Sequence, residues 1–354
     1  MTRIFIIRHA EAEGNLYRCA HGQSEGLITP RGYLQIEQLK KRFAGEKIDT
    51  VYSSDLIRTR VTATSITQPH NLPLNTTEKL REVRMGIWEE MAWGDIEHEY
   101  PQMCEVFGLD PGSWYVQGCE TYEEVISRVT EFITEAAQKH DGETIALFTH
   151  GFAIRSFFCR LMGYTSKESI KLPYCDNTAV ALITYDDGKF NIEYQSDNSH
   201  LKEDESTFAQ QSWWRDDHLS IRETENMRYE KLDADKHKIF LDAFLCEPGV
   251  KPDAELEFAS FFHREPAGML GISKVSDDTG MIDYIFLMPD TREQKFAVQL
   301  LGKAIGAFRE KKIEHIRIEA EKDSAIMELC MNQAFETIED KGDKCLLGKN
   351  IRNW

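Results

Sequence analysis

Ile4-Phe5-Ile6-Ile7-Arg8-His9, at the start of the chain, and Ile145-Ala146-Leu147-Phe148-Thr149-His150-Gly151, much further along, are the two stretches that decide the fold. Each is a short apolar run that stops at a histidine, so each reads as a buried strand meeting a loop. In an open α/β sheet, ligands bind outside the carboxyl ends of the strands, and strands distant in sequence can deliver their last residues into one crevice. A histidine beside an apolar run is, taken alone, more often a satisfied structural residue than a catalytic one. The residues around the two histidines decide between those readings.

Working outward, helices and strands alternate. Thr29-Pro30 supplies an N-cap followed by proline at the first helical position, opening a helix through Leu34, Gln38 and Phe43. Thr121 with Glu124 three residues later is a capping-box signal before Val125, Val129, Phe132 and Ile133, which recur at helical spacing. Segments 179–184 and 190–194, joined by Asp186-Asp187-Gly188, read as a closing hairpin. Alternation of this kind predicts a mainly parallel sheet with helices on both faces, a three-layer α/β/α domain.

Four segments surround the histidines in a fixed order. Arg8-His9 is followed by Glu11 and Asn15; Ser53-Ser54-Asp55-Leu56-Ile57-Arg58 places Arg58 on the first turn of a helix after the strand at Val51-Tyr52; Leu80-Arg81-Glu82-Val83-Arg84-Met85-Gly86-Ile87-Trp88-Glu89 comes third, and Thr149-His150-Gly151 fourth. In order and spacing these resemble the histidine phosphatase, or phosphoglycerate mutase-like, superfamily. The resemblance covers residues 1–201, including Gly118-Cys119-Glu120-Thr121 and Asn198-Ser199-His200-Leu201.

The resemblance implies a definite chemistry. A neutral imidazole attacks phosphorus in line and gives a phosphohistidine, which splits one hard hydrolysis into two easier steps; His9 is the implied nucleophile. The transferring group spreads negative charge over its equatorial oxygens, so catalysis depends on cations aimed at them. Arg8, Arg58 and His150 form that cradle, with Asn15 and Gly151 as further phosphate contacts. Guanidinium forks suit the task because they donate paired hydrogen bonds and stay charged. Glu82 matches the general acid that protonates the leaving alkoxide and afterwards deprotonates the attacking water. No metal is implied. Plainer readings stand beside these: Arg58 and Arg84 as solvated charges, which is the favoured reading for Arg84; Glu82 paired with Arg81 or Arg84; and Asn15 as a turn residue. For Glu11, Thr149, His21 and Trp88 no chemical need stands out.

Ala10 replaces the glycine that commonly follows the first histidine, a small change beside a phosphate loop. Mutases of this family usually carry an arginine-containing insertion between the acid and the second histidine, whereas residues 91–116 here contain neither lysine nor arginine, which favours hydrolysis. That stretch instead holds Trp93, Tyr100, Met103, Phe107, Trp114 and Tyr115, readable equally as an apolar lid or a packed subdomain.

The chain of 354 residues is long for one core and fits two domains. A net charge of −18 argues against nucleic-acid or anionic-membrane partners and makes a local cationic cluster the place where an anionic metabolite dwells. Eight cysteines lie singly, with no Cys-x-x-Cys pair, as in a reduced cytoplasmic protein. The first apolar run is too short for a signal peptide, and no stretch approaches the roughly 20 apolar residues of a membrane span.

A polar stretch from Lys202 to Gln211, ending near Trp213-Trp214, marks a linker expected over 202–218. From 219 the vocabulary changes. Segments 272–275 and 281–287 read as strands about an Asp277-Asp278-Thr279-Gly280 turn, followed by a helix over 293–311, a strand over 315–320 and a helix over 324–333. This order, with Pro289-Asp290-Thr291-Arg292-Glu293-Gln294-Lys295-Phe296-Ala297, resembles the GNAT acetyltransferases and implies a second α/β domain over 219–354 with acetyl-CoA as its cofactor. In that family a glycine-rich loop at a helix start approaches the coenzyme A pyrophosphate. Arg292 and Ala297 keep the pattern, Lys295 replaces its first glycine, Cys330 stands where a tyrosine is common, and Ala334 where glycine precedes Phe335. A working acetyltransferase and a non-catalytic packing, dimerisation or sensing module therefore remain equal expectations.

The expected function is a metal-independent phosphomonoester hydrolase acting on a small phosphorylated metabolite, with a homodimer left open. The alternatives are a phosphoglycerate-type mutase, a bifunctional phosphatase and N-acetyltransferase, and a sensor or scaffold led by the second domain.

Overall fold

The computed structural model describes residues 1–211, 225–244, 254–291 and 294–353. Arg292 and the expected linker residues 212–218 lie outside the described residues. In chain order the first strands and helices are β1 (Thr2–Arg8), α1 (Glu13–Tyr17), α2 (Pro30–Phe43), β2 (Thr50–Ser54), α3 (Ile57–His70), β3 (Leu74–Thr77), α4 (Trp93–Glu99), α5 (Pro101–Leu109), α6 (Tyr122–Lys139), β4 (Thr144–Thr149), α7 (Gly151–Leu161), β5 (Val180–Asp186) and β6 (Lys189–Asp197). They are followed by β7 (Arg228–Lys231), α8 (Lys238–Phe244), β8 (Leu256–Phe262), β9 (Glu265–Lys274), β10 (Thr279–Leu287), α9 (Gln294–Glu310), β11 (His315–Glu321), α10 (Ala325–Asn332), β12 (Glu336–Asp340) and β13 (Lys344–Asn350). Contacts divide the chain into two compact units: Met1–Asn15 with Ala20–Glu89 and Tyr100–Thr224, and Leu16–Cys19 with Glu90–Glu99 and Glu225–Trp354.

The first unit is built on a six-stranded sheet of order β3-β2-β4-β1-β5-β6, parallel from β3 to β1 and closed by the antiparallel β5–β6 pair. The hairpin turn places Asp187 and Gly188 at φ of 47° and 77°, the left-handed pair that a two-residue turn joining twisted strands requires. One face of the sheet packs Phe5, Ile7, Val51, Ala146 and Phe148 against Leu39 and Phe43 of α2 and Ala63 and Ile66 of α3. Ile4, Ile6, Ile145 and Leu147, of opposite parity, are equally buried, and α6 and α7 lie against β1. Both helix starts form as their sequences dictate: the Thr29 hydroxyl accepts from Gly32 N, and Thr121 and Glu124 complete a reciprocal capping box.

The stretch expected to begin the linker differs from that expectation. Glu205, Ser206, Thr207 and Phe208 are buried; Gln35 Nε2 donates to Glu205 O and Thr207 Oγ1, and the Asp176 carboxylate accepts from Ser206 Oγ and Phe208 N. A polar segment whose hydrogen bonds are satisfied internally reads, in sequence, like one solvated by water.

The second unit holds a seven-stranded sheet, β12-β13-β11-β10-β9-β8-β7, with α9 packed on it through Phe296, Leu300, Leu301, Ala304, Ile305 and Phe308. Its central pair, β10 and β11, is parallel from Thr279↔His315 to Ile282↔Ile318; the register of β10 against β9 then shifts between Ile282 and Tyr284. The short segments of this unit that come from early in the chain are held by named bonds: Arg18 Nε donates to Asn226 Oδ1, Asn226 Nδ2 to Glu97 Oε1, and Tyr229 N to Asp95 Oδ1. Trp93 is among these segments, whereas Tyr100, Met103, Phe107, Trp114 and Tyr115 belong to the first unit. No helix among the described residues is long and apolar enough to cross a membrane.

Candidate active site

Register brings the two histidines together. Arg8 pairs with Thr149 in the β1–β4 ladder, so His9 and His150 each stand one residue beyond a matched pair at the carboxyl edge of the sheet. His9 N donates to Thr149 O at 3.0 Å, and the two imidazole rings lie 5.2 Å apart. Neighbouring β2 delivers Ser54 to the same edge, since Ser53 pairs with Phe148.

His9 is buried, and its Nδ1 lies 2.7 Å from the carbonyl oxygen of Ala10. A carbonyl only accepts, so the proton sits on Nδ1 and Nε2 carries a lone pair. Burial, followed by the Arg58 and Arg8 charges, holds the ring well below the usual imidazole range, which keeps that lone pair available. The backbone of His9 is fixed in turn by Asn177, whose Nδ2 donates to His9 O at 2.9 Å.

The cations are anchored through one side of each guanidinium. Arg8 donates from Nη1 to the Cys175 carbonyl, and its Nε is buried without a partner. Arg58, 1% exposed and so no solvated charge, donates from Nη1 to Ser24 O at 2.9 Å and from Nη2 to Gly22 O at 2.6 Å, leaving Nε unpartnered. His150 is fully buried, with Nε2 3.0 Å from Ser54 Oγ and Nδ1 unpartnered. A Cβ at Gly151 would stand 3.3 Å from Arg8 Nε, so the missing side chain there is what leaves the guanidinium its room.

Glu82 pairs with neither Arg81, which is bonded to Asp55, nor Arg84, whose Nε donates to Gly118 O from an exposed position. Instead its carboxylate accepts from Phe152 N and Ala153 N, both at 3.1 Å, at the first turn of α7. The N-cap of that helix, His150, makes no side-chain cap bond, so Glu82 satisfies the helix's orphan donors. Burial pushes its carboxyl above the usual range, against the pull of the Phe152 and Val83 amides and of Arg58 and Arg8. Asn15 takes the turn role: its Oδ1 accepts from Ala12 N at 3.1 Å and from Asn177 Nδ2 at 3.2 Å.

Three supports went unread in the sequence. The Glu89 carboxylate accepts from Gly22 N, Gln23 N, Ser24 N and Met85 N, tying down the loop whose carbonyls hold Arg58. Glu120 pairs with Arg128, which also donates to Lys79 O, Arg81 O and Glu82 O and so fixes the backbone that carries the acid. Asn177 secures His9 and Asn15, as described. Glu89 and Glu120 lie inside recognisable segments, but nothing in their spacing reveals that Glu89 serves distant backbone amides or that Glu120 holds an arginine that serves distant carbonyls. Glu11, likewise buried, is structural: it accepts from Thr29, Arg31 and Thr207. Trp114 packs beside Trp88 and Phe107, and Phe107 stacks on Phe152 at 5.5 Å, a packed aromatic cluster from which Tyr115 projects, 64% exposed.

In the second unit, Lys295 Nζ lies 2.9 Å from Glu225 Oε1, and Ala297 is buried in the core with Phe296 and Leu300. Among the described residues, no group of three or more histidine, cysteine, aspartate or glutamate side chains could hold a metal ion.

Comparison with known proteins agrees with this geometry. Residues 209–328 match the acetyltransferase (GNAT) family. Phosphoserine phosphatase 1 of Hydrogenobacter thermophilus is 28% identical over 57% of this chain and 96% of its own length. Phosphoglycerate mutase-like protein 4 of Arabidopsis thaliana is 30% identical over 57% of this chain and 88% of its own. Among solved structures, Bacillus stearothermophilus YhfR is 26% identical, with a TM-score of 0.56 over 57% of this chain and all of that one. Residues 4–198, which include Arg8, His9, Arg58, Glu82 and His150, match the histidine phosphatase superfamily (branch 1), and the chain belongs to that superfamily.

Proposed function

We propose that the first unit is a metal-independent hydrolase of small phosphomonoesters that works through a phosphohistidine at His9. The observation that carries this is the set of buried nitrogens left without a protein partner on the residues that flank His9, namely Arg8 Nε, Arg58 Nε and His150 Nδ1. Leaving a buried donor unsatisfied costs about 1–3 kcal/mol, and more for a charged group. Three together form a binding site for an anion with several oxygens, and two guanidinium cations supply the charge that a metal supplies in other phosphatases.

The reaction follows from the positions. His9 Nε2 attacks phosphorus, the bond to the ester oxygen breaks, and Glu82 passes its proton to that oxygen. Arg8, Arg58 and His150 hold the equatorial oxygens while charge spreads over them. Glu82, now a carboxylate seated on the α7 amides, takes a proton from water as that water attacks the phosphohistidine; phosphate leaves and His9 is regenerated. The relative named a phosphoserine phosphatase and the one named phosphoglycerate mutase-like support phosphorylated small acids as the first substrates to try.

The test is release of inorganic phosphate by the full chain from a panel that includes phosphoserine and 3-phosphoglycerate, with His9→Ala as blank. Release that vanishes in the variant is expected. Equal release from both proteins, or movement of phosphate between two positions of a substrate without release, would sink the hydrolase reading, the second outcome in favour of a mutase. Acetyl-CoA is the ligand to titrate for the second unit. The proposed setting of the whole protein is cytoplasmic, in keeping with free thiols at every described cysteine.

A further inference from the structure

We infer that Ser54, through its hydroxyl, sets the tautomer of His150, keeping the proton on Nδ1 so that the ring donates to the phosphoryl group. This rests on the phosphatase reading above for its function but not for its geometry. Ser54 ends β2 and is fully buried. Its Oγ has two neighbours within hydrogen-bonding distance: Leu56 N at 3.4 Å and His150 Nε2 at 3.0 Å. Leu56 N–H only donates, so the serine oxygen accepts there, and the single hydroxyl proton has one acceptor left, the Nε2 lone pair. A neutral ring whose Nε2 accepts must carry its proton on Nδ1, the buried nitrogen without a protein partner.

The opposite arrangement fails twice. With the proton on Nε2, the serine hydroxyl would be buried with a donor and no acceptor, and the Nδ1 lone pair would face the oxygens of a phosphate dianion. Burial, with the Arg58 and His9 neighbours, keeps the ring neutral before substrate arrives, so its charge does not settle the matter and the tautomer must. An apolar residue at position 54 cannot donate to Nε2 and so cannot set the tautomer.

The backbone at Ser54 is held for this purpose by its neighbours. Ser53 Oγ and Thr59 Oγ1 both donate to the Ser54 carbonyl, at 2.7 and 2.9 Å, and Ala146 to Phe148 of β4 pair with Val51 to Ser53 of β2 just before His150 leaves the sheet. Ser54 is thus a positioning residue, acting on substrate only through His150. Losing that one hydrogen bond should cost about tenfold in turnover.

Long-range proton–nitrogen correlation spectra of the full chain labelled with 15N-histidine test this directly, with His150 assigned by its absence from the His150→Gln spectrum. The expected result is a His150 ring protonated at Nδ1 at neutral pH in the wild type, a mixed or reversed ring in Ser54→Ala, and restoration in Ser54→Thr. Turnover should fall in Ser54→Ala with the tautomer and recover with it. A wild-type ring protonated at Nε2, or one that Ser54→Ala leaves unchanged, overturns the inference whatever the activity. An Nδ1-protonated ring in a protein that releases no phosphate would support the tautomer and overturn the phosphatase reading instead, so the two failures are distinguishable.

Discussion

The carboxyl edge of the first sheet and the start of α9 in the second unit both present basic residues where an anion is expected, and the structure treats them in opposite ways. At the sheet edge Arg8 gives Nη1, and Arg58 both Nη groups, to backbone carbonyls, and each keeps Nε unpaired beside two neutral histidines. At α9, Lys295 is seated on Glu225, its ammonium 5.3 Å from the Phe296 ring centroid, while Ala297 packs in the core. A basic side chain is therefore a weak sign of an anion site. The stronger sign is the grouping around His9 of two guanidinium nitrogens and a histidine nitrogen, all buried without protein partners.

Removing the nucleophile breaks the first half of this contrast most severely. His9→Ala should lose at least about a thousandfold in turnover, since no other group described at the site offers phosphorus a lone pair. Glu82→Gln should cost about 10²–10⁴ in kcat for alkyl phosphates, and far less for an aryl phosphate whose leaving group needs no proton. Equal losses on both substrates would show that Glu82 acts by holding α7 rather than as an acid. Because its carboxyl is raised and must be protonated to act, kcat for alkyl phosphates should fall as pH rises through that value, and this limb should vanish in Glu82→Gln. Arg58→Lys keeps the charge but loses the fork that reaches two carbonyls and a phosphate at once, and should cost on the order of a hundredfold in kcat/KM.

Much of this site was legible from chain order. Apolar runs predicted β1 and β4, and the histidines after them meet because a parallel ladder in register sends both carboxyl ends the same way. Thr29, Thr121 and the Asp187-Gly188 turn declared themselves because caps and tight turns are local. In the second unit β10, α9, β11 and α10 fall close to where periodicity put them. What stayed hidden was long-range and polar. Glu89 gathers amides from residues 22–24, Arg128 reaches back to the carbonyls of 79–82, and Ser54 meets His150 across the sheet; a charged or hydroxyl side chain carries no periodic signature that says which backbone it serves. The exposed strand β12, Glu336-Thr337-Ile338-Glu339-Asp340, is mostly polar, and its pairing with β13 makes it a strand.

Acidity sharpens the contrast in stability rather than rate. His9 and His150 titrate well below the usual histidine range when folded, because burial and the neighbouring arginines oppose their charge. Below about pH 6.5 the unfolded chain takes up protons that the folded site refuses, so stability falls as pH falls, by roughly 1.4 kcal/mol per histidine one unit below that value. Glu82 has the opposite sign: its folded carboxyl is raised, so it loses stability as pH rises from the unfolded carboxyl value through the folded one. Urea midpoints at pH 7.5 and 5.5, as round-number settings one unit either side of 6.5, should therefore show a loss on acidification that His150→Asn reduces. An equal loss in the variant would mean that the acid sensitivity arises elsewhere.

The smallest effect belongs to Lys295. Its ion pair is partly exposed, at 39% and 28% for the two side chains, so Lys295→Ala should cost about 0.5 kcal/mol in urea titration. The same variant probes the second unit's ligand. Lys295 is paired with Glu225, and the expected change in the affinity of the full chain for acetyl-CoA on its removal is less than about threefold. A tenfold gain would mean that the side chain fills the space the pyrophosphate needs, and a tenfold loss that the ammonium leaves Glu225 to bind it. Either result would erase the distinction drawn between the two sites, because it would make a fully partnered lysine as responsive to an anion as the unpartnered arginine nitrogens around His9.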